Sequence, residues 1–249
     1  FIFNSDDNPY LPKGAFDRLM SNLTQEERDA RRKGQFIALS GLIYPNFDHN
    51  HHVRPLEPLR SVLNFTSMDH GLANATSWHW YQVDGDGVFY VQGEHYESDQ
   101  IVSYHAQQVR TFESNHKLLV PSYRVGDPSI QNRNAITGQS VQTEYANHGI
   151  FIMLGNNDVD AGINRVRELF ERNRIFIDPS CRMLIRELRR YRWAEWASRK
   201  AATKHDAKAK PNKREDHAVD DFRYAVMSRP MWDVGNGPLP KPPPPESIR

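Results

Sequence analysis

The 249 residues are 38% hydrophobic, 25% charged and 11% aromatic, a composition that supports a buried core and excludes a wholly disordered chain. The longest apolar stretch, residues 36–44, is broken by Ser40 and Gly41 and is too short for a transmembrane helix. A lone cysteine, Cys181, excludes a disulfide framework and a Cys-rich zinc site, and fits a reducing compartment. The net charge of +1 conceals a partition, because residues 182–214 carry a local +9 and the remainder −8. A short basic segment on an acidic body points to an anionic partner such as nucleic acid; a solvated, Arg-rich helix face accounts for the charge equally well.

The chain opens without Met, inside the turn-prone run Asn4-Ser5-Asp6-Asp7-Asn8-Pro9. That run reads as an interdomain linker, so a longer parent protein is expected. Residues 12–33 are predicted helical, with Phe16, Leu19, Met20 and Leu23 at helical spacing. A second helix opens on Thr24-Gln25-Glu26-Glu27 and ends near Gly34. Strands are then expected over 36–39 and 41–44. The run Asp48-His49-Asn50-His51-His52 invites a metal reading, but histidines packed so closely rarely converge on one ion, and a polar loop after Pro45 is the expectation. Three β-rich runs, 62–68, 75–81 and 88–91, are linked by His70-Gly71 with Asn74 and by Asp84-Gly85-Asp86-Gly87, and predict an antiparallel meander. A helix is expected from Asp99 as its cap, with Ile101, Val102, His105, Val109 and Phe112 on one stripe.

Strand and helix then alternate. A strand over 118–125 ends at Gly126-Asp127-Pro128. It is followed by a helix over 141–146, a strand over 151–154, an amphipathic helix over 162–172 and a short strand over 175–177. A basic helix over 181–196 offers Met183, Leu184, Leu188, Tyr191 and Trp196 to the core. Beyond it lie an Ala/Lys-rich stretch over 198–214, a last helix over 218–227 and a polyproline tail over 238–245. A meander followed by a helix and parallel-style alternation predicts an α/β fold, one mixed sheet with helices on its faces. No GxxxxGK[ST] loop occurs, so no Walker-type nucleotide site is expected.

Acidic residues fall at strand ends, Asp69 in Met68-Asp69-His70-Gly71 and Asp127 in Gly126-Asp127-Pro128-Ser129. A third group, Asp216-His217-Ala218-Val219-Asp220-Asp221, opens the last helix. Side chains at strand ends of an open sheet can converge on one crevice, and Asp216, His217 and Asp220 share a helix face. Converging carboxylates repel one another until divalent cations fill the space; such clusters hold Mg²⁺ or Mn²⁺ through oxygen ligands. Two ions about 3.5–4 Å apart can activate a water and stabilise the leaving oxygen of a phosphodiester. Each acid also has a plain structural alternative: Asp127 turns a loop before Pro128, Asp69 starts a hairpin, and Asp216 caps the last helix.

Their order along the chain is the ribonuclease H-like plan, and the chain resembles the C-terminal nuclease domain of the large terminase subunits of tailed bacteriophages. The matching pieces are Asn8-Pro9-Tyr10-Leu11-Pro12, Gly34-Gln35-Phe36, Ile43-Tyr44-Pro45-Asn46-Phe47, Met68-Asp69-His70-Gly71, the segment from Glu94-His95-Tyr96 to His105-Ala106, Gly126-Asp127-Pro128-Ser129, Leu184-Ile185-Arg186-Glu187-Leu188 and Asp216-His217-Ala218-Val219-Asp220-Asp221-Phe222-Arg223-Tyr224. The resemblance implies a ribonuclease H-like mixed sheet over 35–229. It implies a linker and helical lead-in over 1–34 from a preceding ATPase domain, and 230–249 is a Pro-rich tail. It further implies a two-metal endonuclease that cuts concatemeric double-stranded DNA during genome packaging. Asp69, Asp127 and Asp220 would be the catalytic metal ligands, with Asp216 and His217 as supporting ligands for two Mg²⁺ or Mn²⁺ ions. Arg182, Arg186, Arg189, Arg190, Lys210, Lys213 and Arg214 would be contacts to the DNA backbone. At Asp221 the family more often has a small residue, which leaves open which of the adjacent acids is the ligand; Asp220 is the one expected, and Asp221 is expected to be expendable for cleavage.

The implied partners are the ATPase domain, the portal, the small terminase subunit and sister large subunits, with no nucleotide in this segment and no membrane. The implied setting is the host cytoplasm, transiently at the procapsid portal. Two other readings remain, a junction resolvase of the same fold and a non-catalytic module that docks on the portal or motor. Nicking of supercoiled plasmid with Mn²⁺ separates an enzyme from a docking module.

Overall fold

The computed structural model describes residues 41–135, 137–193, 210–211, 216–228 and 230. The expected helices and strand over 12–39, the end of the basic helix at Trp196, the Ala/Lys-rich stretch and the polyproline tail lie outside the described residues, apart from Lys210 and Pro211. By contacts the chain divides into two units, one of residues 1–43 with 191–213 and one of 44–190 with 214–249. In the first, Leu42 forms an isolated antiparallel bridge with Arg192, and Trp193 forms one with Pro211. The strand expected over 41–44 is therefore absent, since only Leu42 finds a ladder partner before the turn at Pro45.

The second unit carries a six-stranded sheet of order β5-β4-β1-β2-β3-β6. The strands are β1 Leu63–Asp69, β2 Thr76–Val83, β3 Phe89–Glu97, β4 Tyr123–Gly126, β5 Met153–Leu154 and β6 Ile175–Ile177. β1, β2 and β3 form the predicted antiparallel meander. β4 runs parallel to β1, β5 to β4 and β6 to β3, so the sheet is mixed, as the alternation after the meander implies. β2 is buried at every position, as a strand covered on both faces must be.

The helices are α1 His49–His52, α2 Val102–Asn115, α3 Val141–Asn147, α4 Val159–Glu171, α5 Arg182–Leu188 and α6 His217–Met227. On one face, Met68, Trp78 and Trp80 pack with Val102, Ala106 and Val109 of α2 and Tyr145 of α3. Gly93 of β3 is required there: a Cβ would stand 2.4 Å from Phe112, whose ring stacks on Trp80 at 3.9 Å between centroids. The opposite face of β1 and β2, presenting Ser67, Asp69, Ser77 and His79, receives α6. Gly162 of α4 lets α6 come close, because a Cβ there would stand 2.4 Å from Arg223.

Four local expectations are corrected. Residues 49–52 form a single helical turn rather than a loop, because the Asp48 side chain accepts from Asn50 N and caps it. Asp99 does not cap α2: its φ is +56°, its N–H donates to Leu72 O, and Ile101 holds the cap position with no side-chain bond. The basic helix stops at Leu188 rather than running to 196, and of the strand expected over 118–125 only Tyr123–Gly126 is extended, Lys117–Leu119 forming a 3₁₀ turn.

Candidate active site

β1 and β4 are parallel neighbours with Met68 opposite Gly126, so their C-terminal ends emerge side by side. Asp127 N donates to Met68 O at 3.2 Å, which carries the ladder one step further and sets Asp127 beside Asp69. α6 crosses this edge and touches both acids. His217 Nδ1 lies 2.8 Å from Asp69 Oδ2, and the Tyr224 hydroxyl donates to Asp127 Oδ2 at 2.6 Å. Positions 217, 220 and 224 are spaced by three and then four and share one helix face. Asp220 therefore stands between the two residues that reach Asp69 and Asp127. The three acids, remote in sequence, lie at one edge of the sheet, with Asp69 in electrostatic reach of the other two.

Each carboxylate has polar partners of its own. Asp127 Oδ1 accepts from Ser129 N at 2.5 Å, so this residue also starts the 3₁₀ turn Pro128–Gln131. Asp220 Oδ1 accepts from Arg223 at 3.2 and 3.3 Å, and Arg223 also donates to Asn157 at 3.1 Å. Burial pushes the Asp69 carboxyl up to about 6; its bond to His217 opposes the rise, and the Asp220 and Asp127 charges add to it. Both acids thus act on Asp69 electrostatically. The bond to Asp69 in turn raises His217 above its ordinary value.

The donor set is carboxylate oxygen with one imidazole, which suits hard divalent cations. The mutual repulsion at Asp69 is what such a cation relieves. Among the described residues no three His, Cys, Asp or Glu side chains are grouped closely enough to hold an ion as they stand; the carboxylates bond instead to His217, Tyr224, Ser129 and Arg223. Asp216 is buried at the cap position of α6 and makes no side-chain cap bond there, contrary to its structural alternative.

Of the basic residues, Arg182, Arg186, Arg189 and Arg190 are exposed on and just beyond α5, whose Leu184, Ile185 and Leu188 are buried. Glu187, buried between these arginines in sequence, reaches the start of α6 through Ala218 N at 2.8 Å. Lys210 is exposed but belongs to the other unit, and Lys213 and Arg214 lie outside the described residues. Tyr224 and Arg223 also bind the acids, and both donate to Asn157. Tyr224 was open to discovery, since it continues the 217, 220 spacing; Asn157 carried no signal.

Asp221 overturns its expected expendability. It is fully buried, and its carboxylate accepts from the Ser67 hydroxyl, from Ser77 at 2.9 Å and faces His79 Nδ1 at 2.5 Å. His79 Nε2 lies 3.1 Å from Glu94. Both ring nitrogens thus meet carboxylate oxygens, and an imidazolium satisfies both. Burial works against this charge, but Asp221 and Glu94 outweigh it and push the imidazole up to about 10.

No family model matches the chain. Among curated proteins, the large terminase subunit of Escherichia phage T5 is 22% identical over 235 residues, covering 89% of this chain and 50% of that protein. Among solved structures, the large terminase of the thermophilic bacteriophage D6E superposes with a TM-score of 0.66 at 25% identity, over 91% of this chain and 53% of that one. The chain is similar in sequence and fold to phage large terminase subunits. It spans about half the length of the relatives it matches. The D6E protein has also been solved with ADP. The nuclease domain of P22 large terminase matches over 78% of this chain and 94% of its own, with 19% identity and a TM-score of 0.61. The large terminase nuclease of phage G20c, solved with bound magnesium, matches over 74% and 96% at 12% identity and a TM-score of 0.53. The mixed sheet and its flanking helices are thus the ribonuclease H-like fold of terminase nuclease domains.

Proposed function

We propose that this chain is a metal-dependent endonuclease of viral genome packaging that cuts concatemeric double-stranded DNA. The observation that carries the reading is the proximity of Asp69, Asp127 and Asp220 at the edge where β1 and β4 end, with His217 of α6 on Asp69 and Tyr224 of α6 on Asp127. Asp69, Asp127 and Asp220 would hold two Mg²⁺ or Mn²⁺ ions, with His217 and Asp216 in support. Bound there, such ions supply Lewis-acid stabilisation of the phosphate and a water of lowered pKa. The residues of the chain do the rest. To hold such ions Asp127 and Asp220 would give up their bonds to Tyr224 and Arg223, and those donors would then be available to the negative charge of the DNA backbone.

In this reading the chain is the nuclease part of a longer protein and is paired with an ATPase domain over a linker in residues 1–34, with the nuclease domain over 35–229 and a Pro-rich tail over 230–249. Its further partners are DNA, the portal, the small subunit and sister subunits, met in the host cytoplasm at the procapsid. No helix among the described residues is long and apolar enough to cross a membrane. Incubation of supercoiled plasmid with the protein should give nicked and linear DNA in Mn²⁺ and intact plasmid in EDTA. Plasmid left intact across Mg²⁺, Mn²⁺ and Co²⁺ would favour the docking module.

The exposed arginines of α5 carry a second expectation. Replacing Arg186, Arg189 and Arg190 by Ala should weaken binding to unrelated duplexes alike. It should also lower the slope of log affinity against log salt by about 0.9 for each phosphate that is no longer neutralised. Fluorescence anisotropy over a salt series measures both. An unchanged slope would return these side chains to a solvated face.

A further inference from the structure

α5 and α6 both begin without a cap of their own. Cys181 and Asp216 occupy the cap positions and neither makes a side-chain cap bond. The first amides of a helix nevertheless need acceptors when buried. At α6 they find Glu187, which is 3% exposed: its Oε2 accepts from Ala218 N at 2.8 Å and Val219 N at 3.0 Å. The other oxygen accepts from the Tyr96 hydroxyl of β3 at 2.9 Å. At α5 they find Glu94, which accepts from Met183 N at 2.9 Å and Leu184 N at 2.8 Å. Glu94 is also the partner of His79, and His79 is the partner of Asp221 on α6. The contacts close a circuit from Asp221 through His79, Glu94, α5 and Glu187 back to the start of α6.

We propose that Glu187 is a positioning residue, which holds the first turn of α6 in the register that presents His217 to Asp69 and Asp220 to the acidic edge. A carboxylate on helix N-terminal amides is favoured by the charge-assisted bonds and by the helix dipole together. The held turn is the one that matters: Ala218 and Val219 lie between His217 and Asp220, and Asp220 N closes the first backbone bond to Asp216 O at 2.9 Å. At the other end of the turn, Asp221 is pinned to β1 and β2 through Ser67, Ser77 and His79. The turn that carries Asp220 is thus fastened on both sides by buried bonds. Rotation or fraying of this turn would withdraw His217 from Asp69 and swing Asp220 away from the strand ends.

The role in metal binding rests on the nuclease reading; the holding of the turn does not, and the test separates the two. Glu187→Met keeps the bulk and removes both acceptors, whereas Glu187→Gln keeps the length and one acceptor. In Glu187→Met, amide exchange at Ala218 and Val219 should accelerate about tenfold or more relative to α4. The Mn²⁺ concentration giving half-maximal cleavage should rise by about 10- to 100-fold, the usual cost of losing a group that orients a metal ligand. Glu187→Gln should recover most of both losses. Should the Met variant not fold, a smaller change of the same kind confined to α6 in Glu187→Gln, about threefold, supports the proposal. Exchange that rises equally in α4 and α6, with an unchanged Mn²⁺ requirement below the melting temperature, overturns it. If the unaltered chain neither binds Mn²⁺ nor cuts DNA, the nuclease reading falls, while exchange at Ala218 and Val219 still decides whether Glu187 holds the turn.

Discussion

Asp220→Asn should lower Mn²⁺-dependent plasmid cleavage by at least about 100-fold, the upper end of the loss seen when a residue that merely orients a metal ligand is removed. The substitution replaces a charged oxygen by an amide at the centre of the acidic edge, between the residues that contact Asp69 and Asp127. It preserves volume and leaves an oxygen to accept from Arg223, which is 1% exposed and bonds to Asp220. The fold should lose at most about 1.5–3 kcal/mol, the range for a hydrogen bond to a charged group. Cleavage is therefore compared at a temperature well below both melting midpoints, with binding to duplex DNA as the control. Cleavage within about tenfold of the unaltered chain, at saturating Mn²⁺, would remove Asp220 from the metal site.

Asp221→Ala should act in the opposite way, on stability first. It deletes the acceptor of Ser67 and Ser77 and leaves His79 charged and buried with one carboxylate partner instead of two. Breaking a buried ion pair by removing one partner costs about 3–5 kcal/mol, a large share of the stability of a domain. Asp221→Asn, which keeps an acceptor, should cost less. Urea denaturation of the three chains measures the difference; an Ala variant within about 1 kcal/mol of the unaltered chain would show that the triad contributes little. The adjacent acids thus divide the work, Asp220 at the edge and Asp221 beneath it.

That division was half legible in the sequence. Helical spacing alone puts Asp220 with His217 and places Asp221 on the stripe of Ala218, Phe222 and Ala225, all buried here. A carboxylate on an apolar stripe calls for a buried partner, and the alternation Ser77, His79, Tyr81 in β2 offers one. The resemblance to relatives with a small residue at this position argued the other way, because an alignment position carries no information about a partner 142 residues distant. The meander was legible because period-two alternation and Gly-Asp turns are local signals. The misplaced cap at Asp99 and the absent strand over 41–44 were not, since a left-handed backbone and a missing ladder partner depend on tertiary contacts such as that of Asp99 N with Leu72 O. The convergence of Asp69, Asp127 and Asp220 follows from strand order, which no local pattern encodes and which only the ribonuclease H-like plan anticipated.

The central claim, that Asp69, Asp127 and Asp220 form one metal site, is tested most directly by anomalous diffraction from crystals of the whole chain grown with Mn²⁺. The account predicts an anomalous peak within ligand distance of both Asp69 and Asp127, with Asp220 turned from Arg223 towards it. Manganese at saturating concentration that is bound elsewhere, with Asp69 still on His217 and Asp127 still on Tyr224, would contradict it.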